Sequence, residues 1–259
     1  MATRAPRLTW IQALSAGVEA WLASPDLPVG IPLTCARGVH RVQMPENILA
    51  ALFLATKDLA GIVTDQRQQR WRRRVPDVLA GKTLGILGLG TIGAEMARKA
   101  AALELRVIGT RRDPSPVSHV ERVWGPDGTE AVLAQSNYVL VLLPSTPETR
   151  GIINRTTLGA MQPTAWLLNF ARGDLVVEAD LVQAVRERRI AGAVLDVFSK
   201  EPLPAESPLW TTEGIVIFPH VGGHHPARDQ IVAGLWVDNL RRWLDGRPLL
   251  HVIDRPRGY

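Results

Sequence analysis

Apolar residues in this chain gather in short, near-continuous runs separated by stretches of helical character. Runs at 83–87, 106–110, 138–143, 165–170, 193–197 and 215–218 predict six β-strands. Several carry almost no polar residue, so both faces of these strands are expected to be covered, as in a parallel sheet. The stretches 91–104 and 178–188 predict helices between strands. Two further helices are predicted over 46–62, with Gly61 near its end, and over 227–244. Arg74-Val75-Pro76-Asp77 reads as a linker. Strands alternating with helices in this way indicate the α/β class with a doubly wound parallel sheet.

Composition narrows the picture. Of the 259 residues, 46% are hydrophobic and 21% charged, which suits a packed core rather than disorder. No apolar run approaches the roughly 20 residues of a membrane span, so no membrane partner is expected. The single cysteine, Cys35, has no intrachain disulfide partner, which points to a reducing compartment, the cytoplasm. Residues 1–18 carry Arg4 and Arg7 and no acid, a loose likeness to a transit peptide, but they lack a long apolar core. The net charge of +5 is compatible with nucleic acid or with an anionic cofactor and substrate. Arg67, Arg70, Arg72, Arg73 and Arg74 surround Trp71, yet no second basic stripe accompanies them. The cluster is read as a solvated turn after a helix, with no nucleic-acid partner.

The most informative motif is Gly88-Leu89-Gly90-Thr91-Ile92-Gly93. It follows one predicted strand and opens a helix, the context of a Rossmann-type dinucleotide cradle. Gly88 permits a tight turn, Gly90 lets backbone amides approach a pyrophosphate, and Gly93 allows close helix–strand packing. Thr91 and Ile92 lie in the first turn, where free amides and the helix dipole favour an anion. The end of the next strand selects the cofactor. An NAD site usually has an acid there; this chain has Thr110-Arg111-Arg112. Guanidinium groups suit a 2′-phosphate, so NADPH is expected over NADH. Asp113 follows closely, and the alternative is that both arginines face solvent.

Ligands of open α/β sheets sit beyond the carboxyl ends of the strands. Arg172, Glu201 and His220 all fall there. His220 can donate a proton near neutral pH, Glu201 can hold the imidazole, and Arg172 can bind a carboxylate and polarise a carbonyl. Singly, each has a bland reading: a surface arginine, a helix-start acid before Pro202, a loop histidine. Jointly they favour catalysis of hydride transfer to a keto acid.

Four segments then carry a family resemblance: 143–154 (Leu-Pro-Ser-Thr-Pro-Glu-Thr-Arg-Gly-Ile-Ile-Asn), Asn169-Phe170-Ala171-Arg172-Gly173, Leu195 to Pro202, and Phe218-Pro219-His220-Val221-Gly222-Gly223. Together they resemble the D-2-hydroxyacid dehydrogenases. The resemblance implies catalytic roles for Arg172, Glu201 and His220. It implies that Asp196 holds the nicotinamide carboxamide and that Leu143, Pro144, Thr149, Phe170, Ala171 and Gly222 line the cofactor. The segment 201–210 and the ending 254–259 are similar to the subgroup that reduces glyoxylate and hydroxypyruvate with NADPH. The implied function is that of an oxidoreductase acting as a homodimer on a small 2-keto acid. The alternative is a non-catalytic nucleotide-sensing regulator of the same fold.

The family's substrate domain is flavodoxin-like. Here 8–12 resembles one of its late strands and 31–34 its last. Ser15-Ala16-Gly17-Val18 resembles the loop whose amides hold the substrate carboxylate, which makes Ala16 and Gly17 substrate-binding residues beside Arg172 and His220. Earlier strands are absent, so a partial substrate domain is expected over 1–60 and 226–259, with an uncovered apolar face, and a dinucleotide domain over 61–225. Three other patterns are set aside. Arg172-Gly173-Asp174 spells an integrin tripeptide but lies inside the catalytic motif. The sequon at Asn154 has no secretory signal. His220, His224 and His225 lack accompanying ligands, so no metal is expected.

Overall fold

The computed structural model describes residues 5–259; Arg4 of the basic N-terminal segment lies outside the described residues. In chain order the first elements are β1 (Ile11–Gln12), α1 (Glu19–Leu22), β2 (Leu33–Thr34), α2 (Gln43–Lys57) and α3 (Leu59–Arg67). There follow β3 (Thr83–Leu87), α4 (Thr91–Ala101), β4 (Arg106–Thr110), β5 (Arg122–Trp124), α5 (Thr129–Gln135) and β6 (Tyr138–Val141). The remainder comprises α6 (Arg155–Gly159), β7 (Trp166–Asn169), α7 (Glu178–Arg186), β8 (Gly192–Leu195), β9 (Ile215–Ile217) and α8 (Arg228–Leu244). The chain forms two compact units. The smaller joins the described residues up to Arg41 with His224–Tyr259; the larger is Val42–Gly223.

In the smaller unit β1 and β2 pair in parallel, Ile11 opposite Leu33 and Gln12 opposite Thr34. Ile11, Val18, Leu33, Cys35 and Ile253 form its core. Trp10 stacks on Trp243 with ring centroids 6.1 Å apart. The buried Asn239 ties α8 to this core, because its side chain bonds Gln12 Oε1 and both backbone groups of Leu250. Leu244 and Val252 remain exposed.

The larger unit is built on a seven-stranded, wholly parallel sheet in the order β5-β4-β3-β6-β7-β8-β9. Its strands read as continuous apolar runs because the pleat sends alternate residues to two separate cores. Leu84, Ile86, Tyr138, Leu140, Leu168 and Val194 pack with α2 and α4. Leu87, Val139, Val141, Leu167, Ala193 and Leu195 pack with α5, α6 and α7 on the opposite face. Gly85 lets α5 approach: a Cβ there would meet Ser136 Oγ at 2.1 Å.

Two expectations are corrected. The sheet has seven strands, not six. The extra one, β5, is a three-residue edge strand with Arg122 exposed, too short and too wet to show an apolar run. The helix expected over 46–62 is two helices bent by 66°. The break is Asp58, in the left-handed conformation at φ 49°, whose carboxylate caps α3 by accepting from Gly61 N at 3.2 Å. Arg74, in the supposed linker, clamps the bend through ion pairs to Asp58 and Asp65. Among the described residues no single helix is long and apolar enough to cross a membrane; the bent α2–α3 pair passes only jointly, and Ile48, Ala51 and Leu52 of α2 are buried in the core.

Candidate active site

The sheet order reverses between β3 and β6, which both run into the same crevice. Gly88 leaves β3 at φ 108°, and a Cβ there would lie 2.8 Å from the carbonyl carbon of Leu142 at the end of β6. Only glycine accepts both constraints. The amides of Gly88 and Leu89 donate to Thr110 O, which locks the loop to β4. Gly90 is the extended residue before α4. A Cβ on Gly93 would lie 2.5 Å from Gly88 O, whereas one on Gly90 would meet nothing within 4 Å. The loop is thus packed from behind and open in front, where the amides of Thr91, Ile92 and Gly93 begin the helix. A dinucleotide pyrophosphate fits this arrangement: space at Gly90, donors at the helix start and a favourable dipole.

At the end of β4, Thr110 is buried, Arg111 half-buried and Arg112 exposed. Arg111 N donates to Trp124 O at 3.0 Å, and its Nη1 donates to Ser115 Oγ at 3.1 Å. The reading in which both arginines merely face solvent therefore does not describe Arg111. After β6, Leu143 and Pro144 enter a tight turn closed by Thr149, whose hydroxyl donates to Pro144 O at 2.7 Å and accepts from Thr146 N at 2.9 Å.

Three further strand ends carry Arg172, Glu201 and His220. At the end of β7 the fully buried Asn169 shapes the turn that carries Arg172. Its Oδ1 accepts from Ala171 N at 3.2 Å and its Nδ2 donates to Arg172 O at 2.9 Å. Arg172 Nη1 donates to Ala171 O at 2.7 Å. Gly173 lies so close to the segment after β8 that a Cβ would fall 1.9 Å from the carbonyl carbon of Phe198. Phe198 N donates to Glu201 Oε1 at 2.9 Å, and Glu201 Oε2 lies 2.6 Å from His220 Nδ1. A continuous chain of contacts thus links the Arg172 turn to Glu201 and His220. His220 sits at φ 54°, fixed by donation of its N–H to Asp196 O at 2.9 Å.

Asp196 ends β8 almost sealed from water. Its Oδ1 accepts from Val221 N at 2.8 Å and Gly222 N at 2.9 Å. Burial pushes its carboxyl above the usual range; the amides of Gly222 and Val221 oppose that shift. Gly222 is the contact partner: a Cβ there would meet Asp196 Oδ2 at 2.5 Å and Phe170 at 3.1 Å. Phe170 in turn packs edge-on against Phe218 at 5.8 Å.

Asn169 and Asn47 have roles that residue-type reasoning did not assign. Asn47, on α2, donates to Gly222 O at 2.9 Å and so secures the loop after His220. Asn169 lay within a recognised motif and was open to discovery; Asn47, 174 residues from its partner Val221, carried no signal. Ala16 and Gly17 lie in the smaller unit, in the bend between β1 and α1.

Comparison with known proteins gives a consistent result. Residues 49–222 match the family model for the D-isomer specific 2-hydroxyacid dehydrogenase, NAD binding domain. The glyoxylate/hydroxypyruvate reductase A of Serratia proteamaculans is 36% identical over 238 residues, 88% of this chain and 76% of that protein. Among solved structures, a D-isomer specific 2-hydroxyacid dehydrogenase from Xanthobacter autotrophicus, in complex with NADPH and MES, superposes with a TM-score of 0.91 at 36% identity. It covers all of this chain and 81% of that one. An NADPH-dependent glyoxylate/hydroxypyruvate reductase from Sinorhizobium meliloti, in complex with NADP and sulfate, also gives 0.91. Its identity is 31%, covering all of this chain and 82% of that one.

Proposed function

Because the chain belongs to the D-isomer specific 2-hydroxyacid dehydrogenase family, we propose that it reduces glyoxylate or hydroxypyruvate to the 2-hydroxy acid with NADPH. The observation that carries this reading is the Glu201–His220 hydrogen bond of 2.6 Å, set beyond the strand ends of a dinucleotide fold. Of the relatives named above, two are glyoxylate/hydroxypyruvate reductases and one a 2-hydroxyacid dehydrogenase, and two are bound to NADP or NADPH, which supports both the chemistry and the cofactor.

In this mechanism Glu201 engages Nδ1 of His220 and fixes the ring, which leaves Nε2 to face the substrate. Arg172 pairs with the substrate carboxylate and draws electron density from the carbonyl oxygen. NADPH, when bound, supplies the hydride to the carbonyl carbon. His220 Nε2 then delivers a proton to the oxygen, which completes the alcohol. Asp196 orients the nicotinamide ring through its carboxamide. Arg111 and Arg112 receive the 2′-phosphate. The exposed apolar residues Ile62, Val63 and Trp71 support a homodimer, and the lone buried Cys35 supports a cytoplasmic setting.

The test follows NADPH absorbance with glyoxylate as substrate. His220→Ala should lower kcat by about 10²- to 10⁴-fold, with NADPH affinity unchanged. Undiminished turnover in that variant would remove the histidine from the mechanism.

A further inference from the structure

The two arginines after β4 are not equivalent. Arg112 is exposed, whereas Arg111 is half-buried. Arg111 bonds a neutral hydroxyl, Ser115 Oγ, at 3.1 Å and so keeps its charge available for an incoming anion.

Ser115 is unusually well placed to hold that guanidinium. It stands between Pro114 and Pro116. The first proline fixes its own φ, and the second restricts Ser115 to extended backbone. Ser115 N donates to Asp113 O at 2.8 Å, so Asp113 gives the turn its carbonyl. On the other side, Arg111 N is held by Trp124 O, and the Trp124 ring is covered by the Arg122 guanidinium at 4.5 Å. Both ends of Arg111 are therefore anchored before any ligand arrives.

We propose that Ser115 is a specificity-determining residue for the 2′-phosphate of the cofactor. A guanidinium has donors only, whereas a hydroxyl can accept one hydrogen bond and still donate its own proton. Ser115 accepts from Arg111, which presets the arginine, and its O–H points the second donor at the same phosphate. The two side chains form one composite anion site that discriminates NADPH from NADH. This inference rests on the NADPH reading given above.

Titration calorimetry on the full chain tests it with adenosine 2′,5′-bisphosphate and adenosine 5′-monophosphate, ligands that differ only in the 2′-phosphate. The parent protein should prefer the bisphosphate. Ser115→Ala should weaken bisphosphate binding by about ten- to a hundredfold, the scale of one hydrogen bond to a charged group, and leave the monophosphate unchanged. Ser115→Thr, which keeps the hydroxyl, should behave like the parent. Parent-like bisphosphate affinity in Ser115→Ala overturns the proposal, as does an equal loss for both ligands. A parent that fails to prefer the bisphosphate instead overturns the NADPH reading itself, and the Ser115 role with it.

Discussion

Asp196 shows how far a single buried carboxylate can be put to use. Its oxygens hold the amides of Val221 and Gly222, and its own carbonyl holds the amide of His220. One residue thus fixes the backbone of His220 through its carbonyl and the loop that follows through its carboxylate. The cost is burial, which raises its pKa. The folded state therefore keeps a proton that the unfolded chain has already released over part of the acidic range. The stability contributed by Asp196 is full below its unfolded value and is lost as pH rises through its folded value. Asp196→Asn lacks this term. Thermal melts across the acidic range should show the stability of Asp196→Asn climbing relative to the parent as pH increases through that window. A difference independent of pH would contradict the assignment. The slope is diagnostic because the altered hydrogen bonding of the amide shifts all points alike. The Asp196–His220–Gly222 grouping was open to sequence reasoning because each residue lies at a strand end in a motif. The bond that makes it, from backbone amides to a carboxylate 25 residues earlier, was not.

Secondary elements were readable wherever they bury two faces. β3, β6, β7 and β8 lie inside the sheet with cores on either side, and their residues are apolar throughout. β5 lies at the edge and has one neighbour, so nothing demanded a hydrophobic run of it. The α2–α3 break was hidden for the opposite reason: apolar residues continue across it. A local signal did exist, since an aspartate three residues before Gly61 is a helix-start spacing. Asp58 both tolerates the left-handed backbone and caps the new helix. Asp58→Ala removes the cap and leaves a side chain poorly suited to positive φ, so it should cost about 1–2 kcal/mol in urea denaturation. Asp58→Asn retains both properties apart from the charge and should recover most of that loss. Equal destabilisation by the two substitutions would assign the effect to the Arg74 ion pair rather than to the cap.

Parallel strands impose a common direction, and this made the location of the site legible before its geometry. When β3, β4, β6, β7, β8 and β9 all run one way, their carboxyl ends meet at one edge of the sheet, and the loops there must carry any ligand chemistry. What the pattern of residues could not give was which loops touch. That is decided by backbone clearances such as Gly88 against Leu142 and Gly173 against Phe198, where a single methyl group would force the loops apart. A site assembled from so many strand ends has an energetic consequence. A dinucleotide contacting the Gly88–Gly93 loop, the Arg111 region, the Thr149 turn and Asp196 binds only the folded sheet, so its binding energy adds to folding stability. At a hundredfold excess over Kd the gain is about 2.7 kcal/mol. For a unit of 150–250 residues each kcal/mol moves the melting temperature by about 2–4 °C, so NADPH should raise it by roughly 5–10 °C. NADH at the same concentration should raise it less, because it brings no 2′-phosphate to Arg111. Equal shifts for the two cofactors would show that Arg111 and Arg112 do not read the phosphate, while leaving the glycine cradle intact as the common source of binding.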